Sequence, residues 1–221
     1  MFRSARRDVI FPQAEHARLA GTIALAWGNE RFARPPLPFE SFVRGVTLHD
    51  RGYGQLDGDQ IGRVDPARWA EIQLAGFRER SGDPVVDLVV ALHVHRLASN
   101  FASDPAQAAA RLMRPQLPGL AAAAGVSEAD ALAADTITDL CDMIAFDFCF
   151  ERPAGGAVAV SPAAGSERVE VAYSLDGQGA VTVTPWPLAV PELPGMILGY
   201  AANGYPGQLA PAVTAFVVRP G

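Results

Sequence analysis

The sequence predicts an α+β fold: a mainly helical unit over residues 1–150 with a small C-terminal antiparallel sheet over residues 151–221 packed on it. Three observations point there. Before residue 151 apolar side chains recur at the i, i+3, i+4, i+7 spacing of helices. After it come Val-rich stretches that alternate apolar and polar residues between Pro and Gly. A chain of 221 residues, 49% hydrophobic and 19% charged, is large and apolar enough to bury a sizeable core.

The first helix is expected from near Pro12 to about Trp27, with His16, Leu19, Ala20, Ile23 and Trp27 on one face. Prolines in NERFARPPLP end it, since proline removes a donor and holds the preceding residue extended. Phe39 to Asp50 reads as a second helix whose face Phe39, Phe42, Val43 and Val46 carries on to His49 and Asp50 at its C-terminal end. RGYGQLDGDQIGRVD is rich in Gly and Asp and is expected to be irregular. Pro66 to about Arg80 is a third helix, with Trp69, Ile72 and Phe77 available to pack. Asp83-Pro84 is a cap and first-turn pair that opens the helix VVDLVVALHVHRLASNF. Val85, Leu88, Val89, Leu92, His93 and Arg96 share its inner face, while His95 lies roughly 160° around the axis and toward solvent. After a Pro- and Ala-rich stretch with room for a short helix, Ser127 caps SEADALAADTITDLCDMIAFDFCFE. AVAV, RVEVAYSL, AVTVTPW, GMILGYAA and TAFVVR read as short strands, with Asp176-Gly177 as a hairpin turn.

Composition excludes several classes. All 18 basic residues are arginine and the net charge is −6, so no basic surface announces itself for nucleic acid, and lysine Schiff-base chemistry is ruled out. Lysine-free, Ala-, Gly- and Pro-rich composition points to a GC-rich bacterial genome. No run approaches the roughly 20 apolar residues of a membrane helix. Asp8, Pro12, Gln13 and Glu15 interrupt the opening segment before it can form a signal-peptide apolar region, so the cytoplasm is the expected location. Cys141 and Cys149 stand roughly 12 Å apart on one helix and cannot pair with each other. DGDQIGRVD fails as a calcium loop because Ile61 takes a ligand position and Arg68 the place of the closing Glu. GYGQLDG follows no strand and is discarded as a nucleotide fingerprint. The apolar strands leave room for a homodimer through a sheet edge.

The chemistry rests on the histidines. Of the four, His16, His49 and His93 face inward on separate helices, and Asp50 follows His49 directly. Imidazole nitrogen and carboxylate oxygen together hold borderline and hard divalent ions, and helices that each donate one inward ligand are a common frame for such a site. Asp142 sits mid-helix in the apolar LCDMIAFDF, where a lone carboxylate would be costly, and is the expected acidic ligand. Against this, one inward histidine is more often a hydrogen-bonded core residue than a ligand, and one His-Asp dipeptide is weak; the weight lies in their convergence. Asp135, Asp139 and Asp147 read as a solvated acidic face, and Trp186 of the PWP stretch as cement between sheet and helices.

The order His16, His49-Asp50, Asp142 resembles the His-Asp superfamily of metal-dependent phosphohydrolases. More closely, HARLAGTIALAWGNERF, LHDRGYG, LHVHRL, CDMIAFDFC and VTPWPL are similar over nearly the whole chain to a bacterial domain family of unknown function with an HDxGW-type motif. Tyr53 stands where that family has Trp, and Arg51 at a position often polar or acidic. The resemblance implies an HD-like helical domain in which His16, His49, Asp50 and Asp142 hold a divalent ion, be it Mn, Fe, Ni, Zn or Mg. It implies that His93 binds a second ion or orients a leaving phosphate, and that Arg51 and Arg96 pair with phosphate oxygens as further catalytic groups. The expected activity is hydrolysis of a small phosphate ester or nucleotide-like molecule. A non-catalytic small-molecule or partner-binding module and an iron oxygenase on the same scaffold are the alternatives.

Overall fold

A computed structural model describes residues 1–163 and 165–221. The chain enters through two short strands, β1 (Phe2–Arg3) and β2 (Val9–Phe11), and then builds seven helices. These are α1 (Gln13–Leu25), α2 (Phe39–Thr47), α3 (Pro66–Arg78), α4 (Pro84–Asn100), α5 (Asp104–Met113), α6 (Leu117–Ala124) and α7 (Glu128–Cys149). Five strands follow: β3 (Pro153–Val160), β4 (Val169–Asp176), β5 (Ala180–Thr184), β6 (Leu193–Ala201) and β7 (Pro211–Pro220). Cap chemistry sets the helix starts as expected. Asp83 accepts from the backbone N–H groups of Val85 and Val86, and Ser127 from that of Asp130. The Pro- and Ala-rich stretch folds as two helices, α5 and α6, rather than one.

The expected small, C-terminal, antiparallel sheet is corrected by the topology. A single seven-stranded sheet runs β1-β2-β6-β7-β5-β4-β3 and curls into a half-barrel. It is mixed, because β5 pairs with β7 in parallel, and it draws on both ends of the chain, because Val9 and Ile10 pair with Ala201 and Tyr200. The reason it escapes local reading is that β1 and β2 are two and three residues long and Val9–Phe11 is buried throughout, so no alternation marks it. From Val169 onward the alternation is clean: Val171, Tyr173 and Leu175 point in and their neighbours out.

Helices and sheet share one core. Ile137, Leu140, Ile144 and Phe148 of α7 belong to the same buried cluster as Val171, Val183, Phe216 and Val218, each such side chain contributing about 1.5–3 kcal/mol on burial. A second cluster joins α3, α4 and α5 through Phe77, Val90, Val94 and Met113. Two close approaches then bring the functional elements together. At Gly21 an added Cβ would lie 2.0 Å from Thr47 Oγ1, so α1 and α2 meet at contact distance. At Gly52 it would lie 2.2 Å from the Ile72 carbonyl oxygen, so the 3-10 turn Arg51–Tyr53 presses against α3. No helix among the described residues is long and apolar enough to cross a membrane.

Candidate metal centre

His16 projects from α1, one turn past the proline that opens the helix, and Asp142 from the middle of α7. His49 and Asp50 lie not on α2, as their spacing suggests, but in the turn after it, since α2 ends at Thr47. That turn still delivers both inward, because the His49 N–H bonds back to Val46 and the 3-10 turn follows at Arg51.

The four side chains converge, each at most 8% exposed. His16 Nε2 lies 3.1 Å from His49 Nε2, 3.0 Å from Asp142 Oδ1 and 3.7 Å from Asp50 Oδ2. His49 Nε2 lies 3.4 Å from Asp142 Oδ1 and 3.6 Å from Asp50 Oδ2. Four ligands bonded at about 2.0–2.2 Å to one ion stand roughly 2.9–3.6 Å apart, depending on whether their angles are right or tetrahedral. His16, His49 and Asp142 therefore form a trio that fits a single divalent ion, while Asp50 Oδ2 stands at or just beyond the upper end of that spacing from both histidines. Two imidazole nitrogens at 3.1 Å also repel unless a proton or a cation lies between them.

His49 Nδ1 donates to the Val46 carbonyl at 2.7 Å, which leaves Nε2 as the ligating nitrogen once its proton is gone. Burial presses the His49 pKa down, but the Asp50 charge and the Asp142 hydrogen bond outweigh it and lift it to about 9. Burial works against ionised Asp142 as well, yet hydrogen bonds from His16 and His49 hold it well below the usual carboxylate range. Asp50 is lowered in the same way, against burial, by the charge on His49 and by the His93 ring close beside it.

His93 stands beside this set with its ring 4.4 Å from that of His49, and His49, Asp50 and His93 form a second group of ligand-type atoms within 4.8 Å. Arg96 decides its state. The guanidinium Nη2 lies 3.2 Å from His93 Nδ1 and has only hydrogens to offer, so Nδ1 accepts and the proton of the neutral ring sits on Nε2. Nε2, buried and without a hydrogen-bond partner among the described residues, lies 3.6 Å from Asp50 Oδ1. Burial and the His49 charge lower the His93 pKa.

Neither arginine lies free beside the centre. Arg96 pairs with Asp135 at 3.1 Å and Asp139 at 2.6 Å, while Tyr173 donates to buried Asp147 at 2.8 Å. The expected solvated acidic face of α7 is thus an ion-paired one, half-buried at Asp135 and Asp139 and buried at Asp147, because α4 and β4 pack against it. Arg51 turns away to Asp87 at 3.1 Å and the Gly76 carbonyl at 3.0 Å, tying the His49-Asp50 turn to α3 and α4. His95, expected toward solvent, is half-buried beside Ser99. Cys141 and Cys149 are buried and unpaired with each other.

Above the centre opens a cavity of about 590 Å³, within the usual range for small-molecule sites. His16, Asp50 and Asp142 line it together with Tyr53, Ile61, Val64, Trp69, Phe101 and Phe146. Burial pushes the Tyr53 phenol up, so it stays a protonated donor. Gln13, buried in the same lining, was not singled out by the sequence, although it stands one turn before His16 and so on the same face. The walls from Ile61 to Trp69 come from the stretch read as irregular and from the start of α3, and only folding places them there.

Residues 3–198 match DUF3891, a family described as a protein of unknown function, and the chain belongs to that family. No curated protein and no solved structure matches the chain.

Proposed function

We propose that this member of the DUF3891 family is a metal-dependent hydrolase whose single divalent ion is held by His16, His49, Asp50 and Asp142. The observation that carries the reading is the convergence of buried His16, His49 and Asp142 at ligand spacing with Asp50 close by, three of these four lining a cavity sized for a small molecule. Two carboxylates and two imidazoles suit Mn, Fe, Ni, Zn or Mg. An ion bound there supplies Lewis-acid activation of water at neutral pH.

The remaining roles belong to the chain. Asp50 presents Oδ2 to the histidine pair and Oδ1 to His93, so one carboxylate serves both. His93, fully buried with its proton on Nε2 facing Asp50 Oδ1, is a positioning residue for that carboxylate and not a ligand for a second ion. Arg96 is a positioning residue that fixes this tautomer, and Arg51 one that anchors the turn.

The test is turnover of a panel of chromogenic carboxylic and phosphate esters by untagged protein reconstituted with each ion in turn. Hydrolysis that a chelator abolishes, that the ion restores and that Asp142→Asn lacks is the expected result. Ion-loaded protein that turns over nothing in the panel contradicts the hydrolase reading and leaves a binding module.

A further inference from the structure

The lining of the cavity restricts what it can hold. Trp69 packs on Phe101 with ring centroids 4.9 Å apart and planes tilted by 30°, and Leu97 and Phe146 extend the apolar wall. No arginine lines the cavity among the described residues, and the chain has no lysine. Arg51 and Arg96 are already committed to Asp87 and to the pair Asp135 and Asp139. On the metal-centre reading the ion's charge is committed too, since two positive charges meet the two carboxylates of Asp50 and Asp142 beside neutral imidazoles. A phosphate monoester, carrying about −1.5 to −2 charges at neutral pH, would be desolvated against apolar walls with no counter-charge left. Gln13 Oε1, in a residue 2% exposed, has no hydrogen-bond partner among the described residues and asks for a donor.

We infer that the cavity takes an uncharged carboxamide with an apolar body, its N–H directed to Gln13 Oε1 and its carbonyl toward His16, Asp50 and Asp142. The chemistry of this inference rests on the hydrolase reading; the binding preference does not need turnover. In the reaction the oxygen of one water bonds to the carbonyl carbon and the C–N bond breaks. The nitrogen departs with a proton from that water, giving a carboxylic acid and an amine with no other reactant.

Benzamide, benzoate and phenyl phosphate share one ring and step the charge downward from zero, which makes them the probes. Each is titrated into ion-loaded protein with tryptophan fluorescence as the readout, and Trp69→Phe locates the signal in the cavity. Benzamide is expected to bind about tenfold or more tighter than phenyl phosphate, with benzoate between them. Gln13→Leu is expected to weaken benzamide about five- to tenfold and to leave benzoate nearly unchanged. Phenyl phosphate binding as tightly as benzamide, or no benzamide binding at all, overturns the inference. Failure of the hydrolase reading has a separate signature: the benzamide preference persists while no ester or amide is turned over.

Discussion

Two clusters of buried charge meet one turn apart on α7 and are balanced in different ways. At Asp135 and Asp139 the counter-charge is Arg96, permanent and held at hydrogen-bonding distance to both. At Asp142, joined by Asp50, the facing groups are imidazoles, whose positive charge is a proton on the very nitrogen that would ligate an ion. The first cluster is closed within the protein. The second can exchange its proton for a metal, and the lifted pKa of His49 measures how strongly the carboxylates call for a cation. One pairing builds structure and the other builds a site, both around aspartates of the same helix.

Removing the permanent cation is the harshest way to probe this contrast. Arg96→Leu leaves Asp135 and Asp139 uncompensated and is expected to cost roughly 2–4 kcal/mol, after allowance for their partial contact with solvent. Urea unfolding measures it, and a loss below about 0.5 kcal/mol would mean that the arginine does not close the cluster. Gly52→Ala acts on the other side of the comparison by pushing the His49-Asp50 turn off α3. It is expected to cost roughly 1–3 kcal/mol and to lower the melting temperature, in step with a weaker affinity for the ion. An unchanged affinity would show that the turn tolerates displacement.

Titration separates the clusters more gently. In metal-free protein His49 has a folded pKa of about 9 against an ordinary 6.5, so its stabilisation is full below 6.5 and is lost as pH rises to 9. Asp50 and Asp142 are lowered, so theirs is present above 3.8 and is lost as pH falls. The chelated protein should therefore be most stable between these limits and melt progressively earlier from pH 6.5 to 9. With zinc bound that decline should vanish, because His49 has already given up its proton. Parallel thermal melts across this range would refute the assignment if the chelated curve stayed flat. The mildest change is Tyr173→Phe, which removes the donor to Asp147, a carboxylate outside the ligand set, and is expected to cost about 1 kcal/mol without altering ion affinity.

Helical periodicity made His16 and His93 legible as inward residues and the apolar run around Asp142 made it so too, and all three are buried at the centre. His49 and Asp50 were legible as a pair but placed on a helix that stops at Thr47, since their phase happens to continue past its end. The pairing of Arg96 with Asp135 and Asp139 was not legible, because residues some forty positions apart meet only when α4 packs on α7. The two N-terminal strands of the sheet were missed for the same reason. Strands of two and three residues carry no period, and their pairing with Tyr200 and Ala201 is decided by the closure of the whole chain. The cavity likewise depends on where an irregular stretch comes to rest.

Metal content decides whether the second cluster is a site. Untagged protein and a His49→Ala, Asp50→Ala double variant, both checked for folding by circular dichroism, are reconstituted with manganese, iron, nickel and zinc and analysed by plasma mass spectrometry. About one ion per parent chain, and none in the folded variant, is the expected result. A parent that stays metal-free under every ion would contradict the centre and return His16, His49, Asp50 and Asp142 to the role of buried polar residues sharing protons.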